Sequence, residues 1–120
     1  MSVDVAIVGL GYVGLPLAQE ASRVGLKVLG FDITQRVVDG LNAGTSHVDD
    51  LTDEHIAEMI EAGFEATTDA ARLGEAKTIV ICVPTPLSED GGPDLGPVVS
   101  AVKTIRDNLK PGMLVILEST

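Results

Sequence analysis

Aromatic side chains are nearly absent: Tyr12, Phe31 and Phe64 are the whole complement, and there is no tryptophan. Proteins that bind single-stranded nucleic acid stack bases on aromatic rings along a basic groove. Positive charge is equally scarce. Eight Lys and Arg stand against eighteen Asp and Glu, for a formal net charge of −10, a balance that repels phosphate backbones and anionic membrane surfaces. Nucleic acid is therefore not an expected partner. Cys82 is the only cysteine, which excludes an internal disulfide and a cysteine-built metal cluster and fits a reducing compartment. No apolar run approaches the roughly 18 residues that a membrane span requires, and the first residues lack the basic flank and cleavage site of a secretion signal. The expectation is a cytoplasmic protein that does not enter the membrane. Its 120 residues suit one domain, residues 1–120, long enough to bury a core.

What the sequence does contain is alternation. Four short runs rich in Val, Ile and Leu, at residues 3–8, 27–31, 78–83 and 114–117, are apolar on both alternate positions, as strands covered on both faces are. Residues 64–67 form a weaker fifth candidate. Between the runs the period becomes helical. Val13, Leu17, Ala21 and Val24 make one stripe, Ile56, Met59 and Ile60 a second, and Val98, Val102, Ile105 and Leu109 a third, each fit to cover a sheet. Gly25, Gly44 and Gly63 follow three helical stretches, Thr52 suits an N-cap, and Pro97 suits a first helical position. A short helix is expected around residues 70–73. This order predicts a Rossmann-like, doubly wound parallel α/β sheet of five strands, lacking the sixth usual in that fold, so that the strand ending at Thr120 is an unprotected edge.

The stretch "VAIVGLGYVGLPLA" places Gly9, Gly11 and Gly14 at the close of the first strand and the opening of a helix. As GxGxxG alone the pattern is weak, since a tight turn also uses glycine. Asp32, at the end of the second strand, supplies the missing context. In this reading Gly9 permits the turn, Gly11 lets a diphosphate approach the backbone, and Gly14 lets helix and strand pack closely, while the helix start offers free N–H groups to the anion. The Asp32 carboxylate would accept both ribose hydroxyls and repel the 2′-phosphate of NADP, which makes NAD the expected cofactor. Arg36 is a further candidate beside the ribose. The long segment "PTPLSEDGGPDLG" begins at Pro84, and Thr85 lies there between two prolines that lack N–H groups. In a doubly wound sheet Asp32, Thr85 and Thr120 all fall beyond the carboxyl ends of their strands, where ligands bind.

Taken in order and spacing, "VAIVGLGYVGLPLA", "GFDI", "LNAG", "VPTPL", "PDL" and "LEST" resemble the N-terminal NAD-binding domain of the UDP-glucose/GDP-mannose dehydrogenase family of nucleotide-sugar 6-dehydrogenases. The "PTPL" and "EST" forms lean toward the branch acting on UDP-N-acetylmannosamine or UDP-N-acetylglucosamine. The resemblance implies oxidation of a sugar C6 alcohol to a carboxylate with two NAD, through a cysteine thiolate that captures the aldehyde. It implies that Gly9, Gly11, Gly14 and the backbone of Tyr12 and Val13 hold the diphosphate, Asp32 and Arg36 the adenosine ribose, and Val83, Pro84 and Thr85 the middle of the cofactor. Thr120 matches a threonine beside the nicotinamide that helps place a catalytic water. The family's nucleophile and UDP-sugar site lie past residue 120, so the resemblance makes this chain a cofactor-binding fragment of a homo-oligomeric enzyme, without turnover of its own. Cys82, mid-run in an expected buried strand, is not that nucleophile. A self-contained NAD-sensing module is the alternative, but it has no need of "VPTP" or "EST". The polar group His47, Asp49, Asp50, Asp53, Glu54 and His55 lacks fixed ligand spacing and reads as solvated loop and helix start, not as a metal site.

Overall fold

A computed structural model describes residues 2–84, 89–92 and 94–118. Thr85 and Thr120 lie outside the described residues. Five strands, β1 (Val3–Val8), β2 (Val28–Phe31), β3 (Glu65–Thr67), β4 (Ala76–Ile81) and β5 (Leu114–Leu117), form one parallel sheet in the order β3-β2-β1-β4-β5. Among the described residues four helices connect them, α1 (Gly14–Arg23), α2 (Gln35–Asn42), α3 (Asp53–Glu61) and α4 (Gly96–Arg106), with a 3₁₀ segment at Ala70–Glu75. The chain leaves β1 toward one edge, returns, and crosses to the other side at β4. That reversal opens a crevice at the carboxyl ends of β1 and β4.

The sheet is covered on both faces near its centre, because its central strands, apart from Asp4, Lys77 and Thr78 near their starts, are apolar on both alternate positions. Val5, Ile7, Val28, Val80 and Cys82 pack with Leu15, Ala18, Val38, Leu41, Ile56 and Met59 from α1, α2 and α3. On the opposite face Ala6, Val8, Leu29, Phe31, Ile79 and Ile81 pack with Leu73 and with Ala101 and Ile105 of α4. At β2 the place of a side chain is taken by neighbours: a Cβ on Gly30 would sit 2.9 Å from both methyl carbons of Leu10 and 3.0 Å from the Phe64 ring. Each of α1, α2 and α3 ends at a glycine of positive φ, Gly25, Gly44 and Gly63, the left-handed turn that releases a chain from a helix. Thr52 caps α3, accepting from the His55 N–H at 3.2 Å while His55 Nδ1 accepts from the Thr52 N–H at 3.0 Å.

Five expectations need correction. The buried face of α1 is Gly14, Leu15, Ala18 and Ser22, whereas Leu17 is 36% and Val24 64% exposed. The helix lies close to the strands, so Gly14, Ala18 and Ser22 make the contact beside Leu15, and Leu17 and Val24 turn outward. In α4 Ile105 faces the sheet as expected, together with Ala101, but Val102 is about half-exposed, as is Leu109 beyond the end of the helix. Its first residue is Gly96, so Pro97 stands second. β5 is not covered on both faces; all four of its residues are exposed, since it is paired only with β4 and nothing among the described residues lies over it. Cys82 is one residue past the end of β4, not mid-strand, although it stays buried and its N–H reaches the Val8 carbonyl at 2.7 Å.

Candidate functional site

The bend after β1 is fixed by two glycines that could not be anything else. Gly9 has φ +98°, and a Cβ there would lie 2.9 Å from the Cys82 carbonyl oxygen; a Cβ on Gly14 would overlap the Gly9 carbonyl oxygen and sit 3.2 Å from the Cys82 Cβ. Gly14 thus seats α1 directly on the bend, as the sequence spacing requires. Gly11 differs: nothing lies within 4 Å of its missing Cβ. Its bareness leaves open space above the main chain, where a bulky group can approach.

That space faces the start of α1. The Leu15 N–H bonds the Gly11 carbonyl at 3.0 Å and the Leu17 N–H the Val13 carbonyl at 3.3 Å, but the N–H groups of Gly11, Tyr12 and Val13 have no partner among the described residues. Gly11 and Tyr12 are exposed and Val13 is half-buried. Three free donors at the positive end of a ten-residue helix make an anion cradle. No Lys or Arg lines it among the described residues; the walls are residues 9–13, Asp32, residues 82–84 and Glu118.

Asp32 follows β2 and is half-buried. Its Oδ2 accepts the Leu10 N–H at 3.0 Å and its Oδ1 the Thr34 N–H at 2.9 Å. The carboxylate therefore ties the end of β2 to the glycine bend, a role that sequence spacing did not reveal. A carboxylate has about four acceptor sites, so two remain for a ligand. A second hollow, about 490 Å³, continues from Asp32 between Ile33, Thr34, Pro84 and the α4 residues Pro97, Ser100 and Thr104. Sequence reasoning missed these α4 residues, which carry no motif and reach the crevice only because α4 starts beside it. The site is continuous, since Gly9, Asp32, Val83 and Pro84 line both hollows. A separate hollow of about 90 Å³ between α1 and α3 is too small for a nucleotide.

Of the residues expected at the site, Gly9, Gly11, Tyr12, Val13, Asp32, Val83 and Pro84 line the crevice, and Gly14 supports it from below. Arg36 lies on the first turn of α2, exposed, and lines neither hollow. Cys82 borders the cradle, but burial first, and then the negative charge of Glu118, push its thiol up to about 11, so it is protonated at neutral pH. Three members of the polar group at residues 47–55 are engaged in structural bonds: Asp53 accepts the Ser46 N–H, His55 caps α3, and His47 Nε2 reaches back to the Leu10 carbonyl at 2.5 Å. Among the described residues no three His, Cys, Asp or Glu side chains gather as a metal site would require. No helix among them is long and apolar enough to cross a membrane.

The cradle and the carboxylate fit the two anchoring points of an adenine dinucleotide, a diphosphate and a ribose. Comparison with known proteins points the same way. Residues 3–120 match the UDP-glucose/GDP-mannose dehydrogenase family, NAD binding domain. The chain is 42% identical to the UDP-N-acetyl-D-mannosamine dehydrogenase of Salmonella typhi over 118 residues, which cover 97% of this chain and 27% of that protein. It is also 42% identical to the UDP-N-acetyl-D-glucosamine 6-dehydrogenase of Pseudomonas aeruginosa over 119 residues, 98% of this chain and 27% of that one. The UDP-D-ManNAc dehydrogenase structure from Pyrococcus horikoshii superposes with a TM-score of 0.91 at 36% identity, covering 98% of this chain and 28% of that one. The chain thus spans about a quarter of the length of these relatives. A bare glycine bend beneath free helix-start donors, a carboxylate on the adjoining strand and a match over nearly every residue make this chain a member of the UDP-glucose/GDP-mannose dehydrogenase family, as its NAD-binding domain.

Proposed function

We propose that this domain serves an enzyme that oxidises the C6 alcohol of a UDP-N-acetylhexosamine to the uronic acid, and that NAD lies with its diphosphate over Gly11 and its adenosine ribose against Asp32. The observation that carries the placement is the set of unpartnered N–H groups at Gly11, Tyr12 and Val13 facing open space beside that carboxylate. NAD, when bound, supplies a hydride acceptor. The chain's own residues bind and orient. Gly9 and Gly14 hold the bend, the α1 start offers its donors to the diphosphate, and the two remaining acceptor sites of Asp32 take ribose hydroxyls. The hollow toward Ser100 and Thr104 receives the adenine. Val83, Pro84 and Thr85 flank the middle of the cofactor and Thr120 lies by the nicotinamide, roles supported by the family motifs "VPTP" and "EST". The sugar-nucleotide substrate and the nucleophilic cysteine are assigned to the part of the relatives outside the matched quarter. The sugar assignment rests on the UDP-N-acetylmannosamine and UDP-N-acetylglucosamine dehydrogenases among the relatives.

Two measurements test this. Calorimetric titration should find NAD bound more tightly than NADP, and a preference for NADP would refute the placement of Asp32. The second replaces the matching first quarter of the Escherichia coli UDP-N-acetyl-D-mannosamine dehydrogenase, 41% identical over 119 residues, with this chain. The hybrid should form NADH from UDP-N-acetylmannosamine, while the 120-residue chain alone should form none. A folded, NAD-binding hybrid without activity on any UDP-sugar would sink the substrate assignment, and acid formation by the chain alone would refute the placing of its nucleophile.

A further inference from the structure

Leu10 is held through both of its backbone groups by side chains distant in sequence, and the carbonyl belongs to the peptide that joins it to Gly11. The Leu10 N–H donates to Asp32 Oδ2, and the Leu10 carbonyl accepts from His47 Nε2 at 2.5 Å, thirty-seven positions away. In a trans amide the carbonyl of one residue and the N–H of the next point in opposite directions, and the structure contains no cis peptide among the described residues. A donor fixed on the Leu10 carbonyl therefore aims the Gly11 N–H the other way. That N–H is one of the three unpartnered donors of the cradle.

The loop that carries His47 is itself anchored. Gly44, at φ +89°, turns the chain out of α2, and the Thr45 N–H returns to the Gly40 carbonyl at 2.9 Å. The Ser46 N–H donates to Asp53 Oδ1 at 2.8 Å, at the first residue of α3, and the Ser46 hydroxyl donates to the Val48 carbonyl at 2.9 Å. Val48 and Leu51 are buried in the same core as Leu10. His47 thus stands on a fixed base between two anchored neighbours, although the residue itself is exposed. Its aim matters here because no Lys or Arg lines the cradle among the described residues, so the direction of the backbone N–H groups carries the recognition of an anion.

We infer that His47 is a positioning residue for the diphosphate cradle, holding the Leu10–Gly11 peptide so that its N–H faces the ligand. This rests on the NAD placement above, and the test separates the two. His47→Leu, His47→Gln and Asp32→Ala are titrated with NAD, ADP and adenosine. His47→Leu should weaken NAD and ADP about five- to tenfold, the worth of roughly one hydrogen bond, and leave adenosine within about twofold, because adenosine has no phosphate to read the peptide. His47→Gln, whose amide nitrogen reaches about as far as Nε2, should restore most of the loss. In the ligand-free protein the Gly11 amide nitrogen resonance should shift in His47→Leu and return toward its original position in His47→Gln. Equal weakening of ADP and adenosine, or no recovery with Gln, would reduce His47 to a loop tether. If Asp32→Ala weakens NAD but His47→Leu does not, this inference alone fails; if neither does, the NAD placement fails first. Should His47→Leu not fold, His47→Asn, polar at this exposed position but short of the carbonyl, gives the same reading.

Discussion

Asp32→Asn separates the two tasks that the structure gives this side chain. The carboxylate accepts the Leu10 N–H at 3.0 Å and the Thr34 N–H at 2.9 Å; an amide keeps one oxygen and presents an NH₂ group to the second donor. The Leu10 N–H is the less exposed of the two, so the amide oxygen should remain there and leave the Thr34 N–H to water. Stability should then fall by only about 1 kcal/mol, the net worth of one hydrogen bond. Cofactor choice should change far more. NAD loses charge-assisted bonds from its ribose, about 1.5–3 kcal/mol, or about 10- to 150-fold in affinity. NADP is relieved of a repulsion that, for one unit charge about 5 Å from the carboxylate at an effective dielectric constant of about 20–40, amounts to ~2–3 kcal/mol. One affinity falls and the other rises, so both changes move the ratio the same way, toward NADP, by at least about a hundredfold. Calorimetric titration with both cofactors, alongside urea unfolding, reads each part separately. A folded Asp32→Asn protein whose NAD:NADP ratio stays within about threefold of the original would show that Asp32 ties the bend and nothing more.

Gly14→Ala should be severely destabilising, by more than about 3 kcal/mol or to the point of not folding, since its Cβ overlaps backbone that cannot yield; urea unfolding tests this, and a variant of normal stability would mean that α1 does not sit on Gly9 as described. Gly11→Val should leave the fold intact, because nothing lies within 4 Å of the first of its three added carbons, yet weaken NAD at least about tenfold by filling the approach of the diphosphate; unchanged affinity would place the ligand elsewhere. The Cys82 thiol, raised from 9.0 to about 11, favours the folded state fully below the unfolded value, and that contribution disappears as pH rises through about 11. Unfolding free energy should therefore drop between about pH 9 and pH 11, and drop less in Cys82→Ala. The native thiol should also alkylate slowly at pH 8, and rapid labelling of the folded protein would contradict its burial.

The sheet was legible because its strands are apolar on both sides: the runs at residues 3–8 and 114–117 coincide with β1 and β5. The helix faces were less so, because hydrophobicity points to Leu17 and Val102 while close packing against a sheet selects Gly14, Ala18 and Ala101, residues whose small size outweighs their weak apolar signal. β5 misled in the other direction, since a strand apolar on both sides announces cover that the described residues do not supply. At the site, Gly9, Gly14 and Asp32 stood out by their spacing together with the strand and helix on either side, as the tight bend and its acidic neighbour demand fixed positions. The link from Asp32 to Leu10 did not, nor did His47, because a side chain meeting a backbone carbonyl thirty-seven positions away leaves no periodicity and needs no particular residue at the carbonyl. His55 belongs to the same class: as a partner in the α3 cap it replaces the acidic residue that usually fills that place.

An acidic chain that binds an anion must do so at short range, and this sets its response to salt. The net charge is −10, Asp32 and Glu118 stand in the crevice walls, and no described residue lining the cradle is basic. Seen from more than a few ångströms, the approaching diphosphate meets repulsion. In the proposed placement its favourable contacts come from N–H groups at hydrogen-bond distance, well inside the ~10 Å over which about 0.1 M salt screens a charge. Raising NaCl from about 50 to about 500 mM should therefore weaken the repulsion more than the attraction, and NAD affinity should hold or rise. A site clamped by a basic side chain behaves oppositely, losing affinity as the ion pair is screened. Calorimetry across that range decides between them. A fall of about tenfold would mean that a cation reaches the diphosphate after all; Arg36, exposed on the first turn of α2, would be the first residue to replace, and recognition by helix-start donors alone would have to be abandoned.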